Sequence, residues 1–417
     1  MTLSFIAETE GFAMRQHPPA LCVTPFKDGR DRSSGSPLEG GAAKQRGVYA
    51  YACAHNPHPP ALRAFPPRRA DFLSATFVPP ILEGGLGTAM CLVLLWCATL
   101  SAQETGAPAL PPPAKDLKVV RFEENPIIRP DMLPGRDGEN INGPSLIRVP
   151  EWLPNPLGRY YLYFADHHGD YIRLAYADRL QGPWKIYKPG TLRLAQVPDG
   201  KKHIASPDVV ADGERKELRM YFHSPSKTAK AQTTYLARSK DGLHFTAGSE
   251  KLAPFYLRIF QHDGYWYGMT KRGWLCRSKD GLSAFEPGPN PFSGVAVRDG
   301  DENSTGIRHV ALDLTGDRLT VYYSKIGDMP ECILRSTITL TPDWKEWKAG
   351  APELALKPEK DYEGTDIALA PSKGGNAKGR ENALRDPAIF KEDGRTYLLY
   401  SVAGESGIGV AEITAVK

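Results

Sequence analysis

The sequence predicts an all-β chain closed as a five-bladed β-propeller behind a disordered N-terminal extension with a signal-like segment. Three observations carry that prediction. Arg238-Ser239-Lys240-Asp241-Gly242-Leu243 returns verbatim as Arg277-Ser278-Lys279-Asp280-Gly281-Leu282, and such self-similarity marks repeat architectures. A short strand built on Tyr and an apolar neighbour occurs five times: Leu162-Tyr163-Phe164, Met220-Tyr221-Phe222, Trp266-Tyr267-Gly268, Val321-Tyr322-Tyr323 and Leu399-Tyr400-Ser401. Each follows another β-like run, and Asp212-Gly213, Asp263-Gly264 and Asp393-Gly394 supply the turn between the two, a strong hairpin signal. Long helical periodicity is absent, and repeated antiparallel units of this size rich in Tyr and Trp describe propeller blades.

The chain has 417 residues, 41% hydrophobic and 24% charged, enough for a substantial core. Lys and Arg number 52 against 48 Asp and Glu, a net charge of +4, too small an excess for a nucleic-acid footprint. Residues 1–89, with clusters such as Pro66-Pro67-Arg68-Arg69, show no sustained periodicity and read as disordered or as the product of a start codon placed too early. Met90 to Ala102 is an apolar run of signal-peptide length ending in small residues, too short to span a bilayer, and predicts a secreted or periplasmic protein. A Pro-rich linker, 103–117, leads into the propeller, 118–417. Four of the six cysteines lie before residue 103; Cys276 and Cys332 alone make no disulfide framework or CxxC site. No membrane span is expected, and a monomer is.

Taking the units in order, the inner runs are Pro144 to Val149, Pro207 to Val210, Tyr256 to Phe260, His309 to Leu312 and Pro387 to Phe390. Third strands follow at Ile172 to Ala175, Thr234 to Ala237, Trp274 to Cys276, Cys332 to Leu334 and Gly409 to Ala411. Lys118-Val119-Val120-Arg121-Phe122 precedes the first unit and completes the fifth, which runs out of sequence after Ile413; joining them closes the ring and removes exposed edges.

In an up-and-down sheet the start of the inner strand and the loop between second and third strands share one face. The inner-strand starts bring Asn142, Asp208, Arg258, Arg308, His309, Arg385 and Asp386 to that face. The loops add Asp166, His167 and His168, His223, Lys271 and Arg272, Lys325, and Glu405. Polar groups converging on a concavity are the default site hypothesis. A metal site from His167, His168 and His223 lacks His-x-x-x-His or similar spacing. No cofactor is expected; a structural Ca2+ in the central channel is the one ion left open.

The motifs Asp178-Arg179-Leu180-Gln181-Gly182-Pro183-Trp184, Ser206-Pro207-Asp208-Val209 and Arg385-Asp386-Pro387-Ala388-Ile389, with the repeated strands, resemble the five-bladed propeller glycoside hydrolases of the family 43 and family 32 type. The resemblance covers about residues 118–417 and implies acid/base hydrolysis of a glycosidic bond in a poly- or oligosaccharide. It also implies an Asp before the Pro of blade 1 as base, where this chain has Gly143, and a Glu acid on a later inner strand, where it has Tyr256, Arg258 and Arg308-His309. Glycoside cleavage usually needs two carboxyl groups in different protonation states. Asp208 and Asp386 are the candidate pair, His309 a substitute acid and Asp166 the reserve carboxylate. The expected substrate-binding residues are His167, His168, His223, Arg258, Arg308, Arg385 and Glu405, and the arginines with Lys271 and Arg272 favour an anionic glycan. The alternative is a noncatalytic carbohydrate-binding propeller. A weaker one is a sialidase-like enzyme, because Ser239 to Phe245 and Ser278 to Phe285 resemble the Asp-box turn; five units and the lack of a clear arginine triad count against it.

Overall fold

The computed structural model describes residues 110–293 and 306–416; the expected extension and the signal-like segment lie outside them. Five antiparallel sheets form, one per predicted unit. Their inner strands are Asn142–Arg148, Ala205–Asp212, Arg258–His262, Ile307–Thr315 and Arg385–Glu392. Second and third strands follow in chain order, and short outer strands such as Lys185–Ile186 and Glu286–Pro287 finish blades 1 to 4. In blade 5 the outer place is taken by Leu117–Arg121, which pairs antiparallel with Ile408–Ala415 in the register Val119 to Ile413. Arg121 Nε then reaches Glu363 Oε1 at 2.7 Å, and Tyr400 Oη donates to the same oxygen at 3.0 Å, so the closing strand is anchored by charge as well as by its ladder. The described part of the Pro-rich segment runs along blade 4, where Leu354 N donates to Pro112 O and Ala114 N to Leu354 O.

The Tyr-rich strands follow from burial on both faces. In Tyr160–Ala165, Leu162 and Phe164 face the core shared with blade 5, while Tyr161 and Tyr163 face the core shared with blade 2. Three further cores join blades 2 and 3, 3 and 4, and 4 and 5. A strand packed on both sides reads as a continuous apolar run, and a large apolar ring with one polar tip suits it. The repeated hexapeptide uses that tip. Tyr163 Oη donates to Gly242 O at 2.9 Å and Tyr221 Oη to Gly281 O at 2.7 Å, each crossing to the next blade. Within those turns Asp241 Oδ1 accepts from Leu243 N and His244 N, and Asp280 Oδ1 from Leu282 N and Ser283 N. Gly281 sits at φ 66°, and a Cβ there would come within 2.7 Å of the Trp266 ring, so the turn requires glycine. The Asp-box likeness thus corresponds to a latch between blades.

Four inner strands begin with the same irregularity. The register slips between Asn142 and Ser145, Ala205 and Asp208, Ile307 and Val310, and Arg385 and Ala388, which places two residues opposite one. Such bulges re-aim side chains at the rims of closed sheets. The bulged pairs are Gly143-Pro144, Ser206-Pro207, Arg308-His309 and Asp386-Pro387, and Tyr256, two residues before Arg258, precedes the inner strand of blade 3.

Candidate active site at the propeller axis

Strain marks this ring of positions. Gly143, Ser206, Tyr256 and Asp386 have φ of 61°, 50°, 61° and 52°. For the three non-glycine residues that conformation costs about 1–3 kcal/mol each, and such strain clusters at functional sites. Gly143 also lies against blade 2: a Cβ on it would be 3.2 Å from Ser206 Cα.

Asp386 and His309 meet there. The Asp386 carboxylate contacts His309 Nδ1, and Ser401 Oγ donates to its other oxygen at 3.3 Å. Burial raises the Asp386 pKa, but His309 and the guanidiniums of Arg385 and Arg308 outweigh it and hold the carboxyl well below the usual carboxylate range. Burial dominates at His309 and pushes it below its usual 6.5. At neutral pH the pair is therefore a carboxylate and a neutral imidazole. An ionised carboxylate only accepts, so Nδ1 carries the proton and Nε2 presents its lone pair. Nε2 faces Ser206 Oγ at 3.5 Å, and the Tyr256 ring lies on the imidazole with centroids 3.8 Å apart.

The other expected site residues divide into three groups. Asp208 does not join Asp386: its Oδ2 accepts from Ile259 N at 3.0 Å and its Oδ1 from Arg258 Nη1 at 3.2 Å, tying blade 2 to blade 3. Burial raises its pKa against the pull of Arg258. Arg258 is spent in the same seam, donating to Pro207 O at 2.6 Å and Pro144 O at 3.1 Å. Arg308 and Arg385 belong to a buried ionic network centred on Glu331, a residue the sequence reading missed. Arg308 Nε donates to Glu331 Oε1 at 2.9 Å, Arg385 Nη2 lies 2.8 Å from Glu331 Oε2, and Arg385 also pairs with Glu381 and Glu405. These three arginines, expected on the substrate, are held by protein partners in the structure.

Glu405, likewise expected on the substrate, faces inward as well. Burial raises its pKa, but the His167 hydrogen bond and Arg385 bring it below the usual range; His167 Nδ1 lies 3.5 Å from Oε1. His167 N in turn donates to Asn140 Oδ1 at 2.9 Å. Asp166 and His168 reach the surface, where they line a groove of about 1140 Å3 with Asn140, Lys378, Arg380 and Ser406. His168 leads inward again: its ring is 5.5 Å from His203, His203 is 5.8 Å from His223, and His223 is 4.7 Å from Tyr256. An edge-to-face file of rings thus connects the mouth to the His309 pair. His203 and Tyr256 in that file, and Ser206 at its end, were not among the expected site residues; aligning the five inner-strand starts finds Ser206 and Tyr256, while nothing in the sequence singles out His203.

Three imidazoles of this region, His203, His223 and His309, are shifted below 6.5 by burial. A base with a depressed folded pKa contributes stability that is complete above the unfolded value and lost as pH falls through the folded one. Unfolding free energy measured between pH 8 and 5 is expected to decline below about pH 6.5, and to decline less in His223→Phe. A flat profile in both proteins would contradict the buried neutral file. Among the described residues no group of three or more His, Cys, Asp or Glu is arranged to hold a metal ion.

No family model matches the chain. The uncharacterized protein R118 of Acanthamoeba polyphaga mimivirus is 42% identical over 323 residues, 72% of this chain and 91% of that protein. Among solved structures, a candidate glycoside hydrolase from Bacteroides ovatus superposes with a TM-score of 0.50 at 13% identity, covering 71% of this chain and 96% of its own. An α-L-arabinofuranosidase from Lactobacillus brevis gives 0.46 at 12%, covering 70% and 92%, and a thermostable family-43 glycoside hydrolase 0.45 at 14%, covering 66% and 89%. At 13% identity the likeness to the Bacteroides ovatus structure shows the fold alone, in keeping with the five antiparallel blades described above.

Proposed function

This chain belongs to one family with the mimivirus protein R118, and from that premise we propose that it is a glycoside hydrolase-like propeller that cleaves a glycosidic bond in a poly- or oligosaccharide. The observation that carries the reading is the Asp386–His309 pair at the end of the axis, held by strained backbone and by Arg308 and Arg385. Asp386 is too buried and too committed to meet a sugar itself, at 1% exposure. The atom that handles the proton is His309 Nε2. As a neutral imidazole it takes the proton of the attacking water, and Asp386 stabilises the imidazolium that results. Asp166 is the expected carboxyl on the groove wall to protonate the leaving oxygen, being the sole member of the expected catalytic carboxylates that lines the groove.

One observation favours a second reading, a carbohydrate-binding propeller without turnover. Of the five corresponding axial positions, Gly143, Ser206, Tyr256, Arg308 and Asp386, one alone carries a carboxylate. The two readings separate on a glycan panel scored for both binding and reducing-end release by the full chain. Release from a bound glycan supports the hydrolase; binding across the panel with no release removes it.

A further inference from the structure

The arginines that first suggested an anionic ligand are paired with buried acids, yet cationic groups without such partners occur elsewhere on the mouth. Between blades 1 and 2 a pocket of about 460 Å3 is lined by His168, Lys201, Lys202, His203, Lys230 and Gln232, with Pro225, Ala229 and Ala231 closing it. No carboxylate lines it. Among the described residues none of the Lys201, Lys202 and Lys230 ammonium groups has a carboxylate within ion-pair distance. Asp199, the carboxylate nearest in sequence, is turned away and saturated by Ser226, Tyr235, Thr228 and Lys251. Lys202 holds φ 68°, a left-handed conformation that costs a non-glycine residue energy.

Two further facts give the pocket a direction. His203, at its floor, is 8% exposed, and His168 and Lys202 add to burial in disfavouring its protonated form, as expected where positive groups face one another without a counterion. His168 is also a wall of the large groove, so the two concavities share a side chain and form one surface. The groove itself is balanced: Arg129 pairs with Asp131, Arg136 with Glu139 and Arg380 with Asp366. In the pocket, by contrast, no acid stands among the lining residues.

We propose that this pocket is the subsite for an anionic substituent, a sulfate ester or a uronate carboxylate, on the sugar chain bound at the mouth. The inference rests on the carbohydrate reading above and supplies its substrate class. Lysines act as point charges on such groups, and a cleft lined by one sign of charge concentrates the opposite ion. A sugar chain lying in the groove would pass His168 and place its charged substituent among the three ammonium groups, with the His203–His223–Tyr256 file leading on to His309.

The test has an anion arm and a glycan arm, both with the full chain. Inorganic sulfate is titrated while the His203 ring resonances are followed; sulfate binding is expected to move them and to raise the His203 pKa. In the second arm a sulfated carrageenan tetrasaccharide, a tetragalacturonate and neutral xylotetraose are compared with wild type and with Lys201→Gln/Lys202→Asn/Lys230→Gln. Asn is chosen at 202 because it tolerates the left-handed backbone; thermal unfolding checks that the variant stays folded. One of the charged tetrasaccharides is expected to bind at least tenfold more tightly than xylotetraose, more weakly as salt rises, and to lose that advantage in the triple variant. Whichever charged ligand it is identifies sulfate or carboxylate as the source. Absence of any sulfate effect at His203 overturns the proposal, as does charged-ligand affinity that survives the triple variant. A charged glycan that binds through these lysines without being cleaved supports the subsite and removes the hydrolytic reading, so the two fail separately.

Discussion

Asp386→Asn is expected to lower glycosidic cleavage by about 10³-fold or more while leaving glycan binding within a few-fold of wild type. The reason is a tautomer. Asp386 as a carboxylate only accepts, which fixes the proton of His309 on Nδ1 and keeps the Nε2 lone pair toward Ser206 and the axis. An Asn amide can present its NH2 to Nδ1 instead, which transfers the proton to Nε2 and removes the base. The counter-charge for a protonated His309 also disappears, while the cationic Arg308, which disfavours that form, remains close. His309→Ala is expected to cost about as much, and the double variant little more, because the two side chains act as one unit. In wild type kcat/KM is expected to rise with pH through a His309 value below 6.5, since the neutral ring is the active form. Rates for Asp386→Asn within tenfold of wild type would detach the pair from the chemistry.

The largest stability effect is expected at Glu331. It is fully buried, accepts from Arg308 Nε at 2.9 Å and Ser324 Oγ at 2.7 Å, and lies 2.8 Å from Arg385 Nη2. Removing its charge leaves two buried guanidiniums short of a counterion, and breaking a buried pair in this way costs about 3–5 kcal/mol. Arg385 keeps Glu381 and Glu405, and Arg308 keeps the carbonyls of Lys373 and Gly375, so Glu331→Gln is expected near the lower end and Glu331→Ala near the upper. Urea unfolding at pH 7 measures this. A loss under about 1 kcal/mol for Glu331→Ala would mean that the network is hydrated rather than dry.

The fold was legible because blade formation is local. Each unit announces itself in a Tyr-bearing run buried on both faces and in turns whose residue types are dictated by backbone conformation, as at Gly281. Ring closure by the strand around Val119 was legible because the fifth unit lacked its outer strand. The site was legible only in part. Asp386 and His309 were visible as polar residues at inner-strand starts, and their contact follows from blades 4 and 5 being neighbours. Asp208 stands at an inner-strand start too, yet it lies two places beyond the bulge and so aims at the neighbouring blade rather than the axis. The protein partners of the arginines were not legible for a related reason. Which carboxylate meets a guanidinium depends on segments such as Glu331 and Glu381, whose positions come from long connections without periodicity. The unpaired lysines of the blade 1–2 pocket became distinguishable from ordinary surface lysines only once the absence of acids around them was seen.

The central claim is that His309 Nε2 moves a proton during cleavage of a bound glycan. The direct measurement is an anomeric proton NMR time course on the panel glycan that binds most tightly, run side by side with wild type and His309→Ala at matched occupancy. Wild type is expected to generate a new reducing-end anomeric signal that grows linearly with enzyme concentration, and His309→Ala to bind the glycan without generating it. Equal rates of release in the two proteins, or tight binding by wild type with no new anomeric signal, would contradict the account.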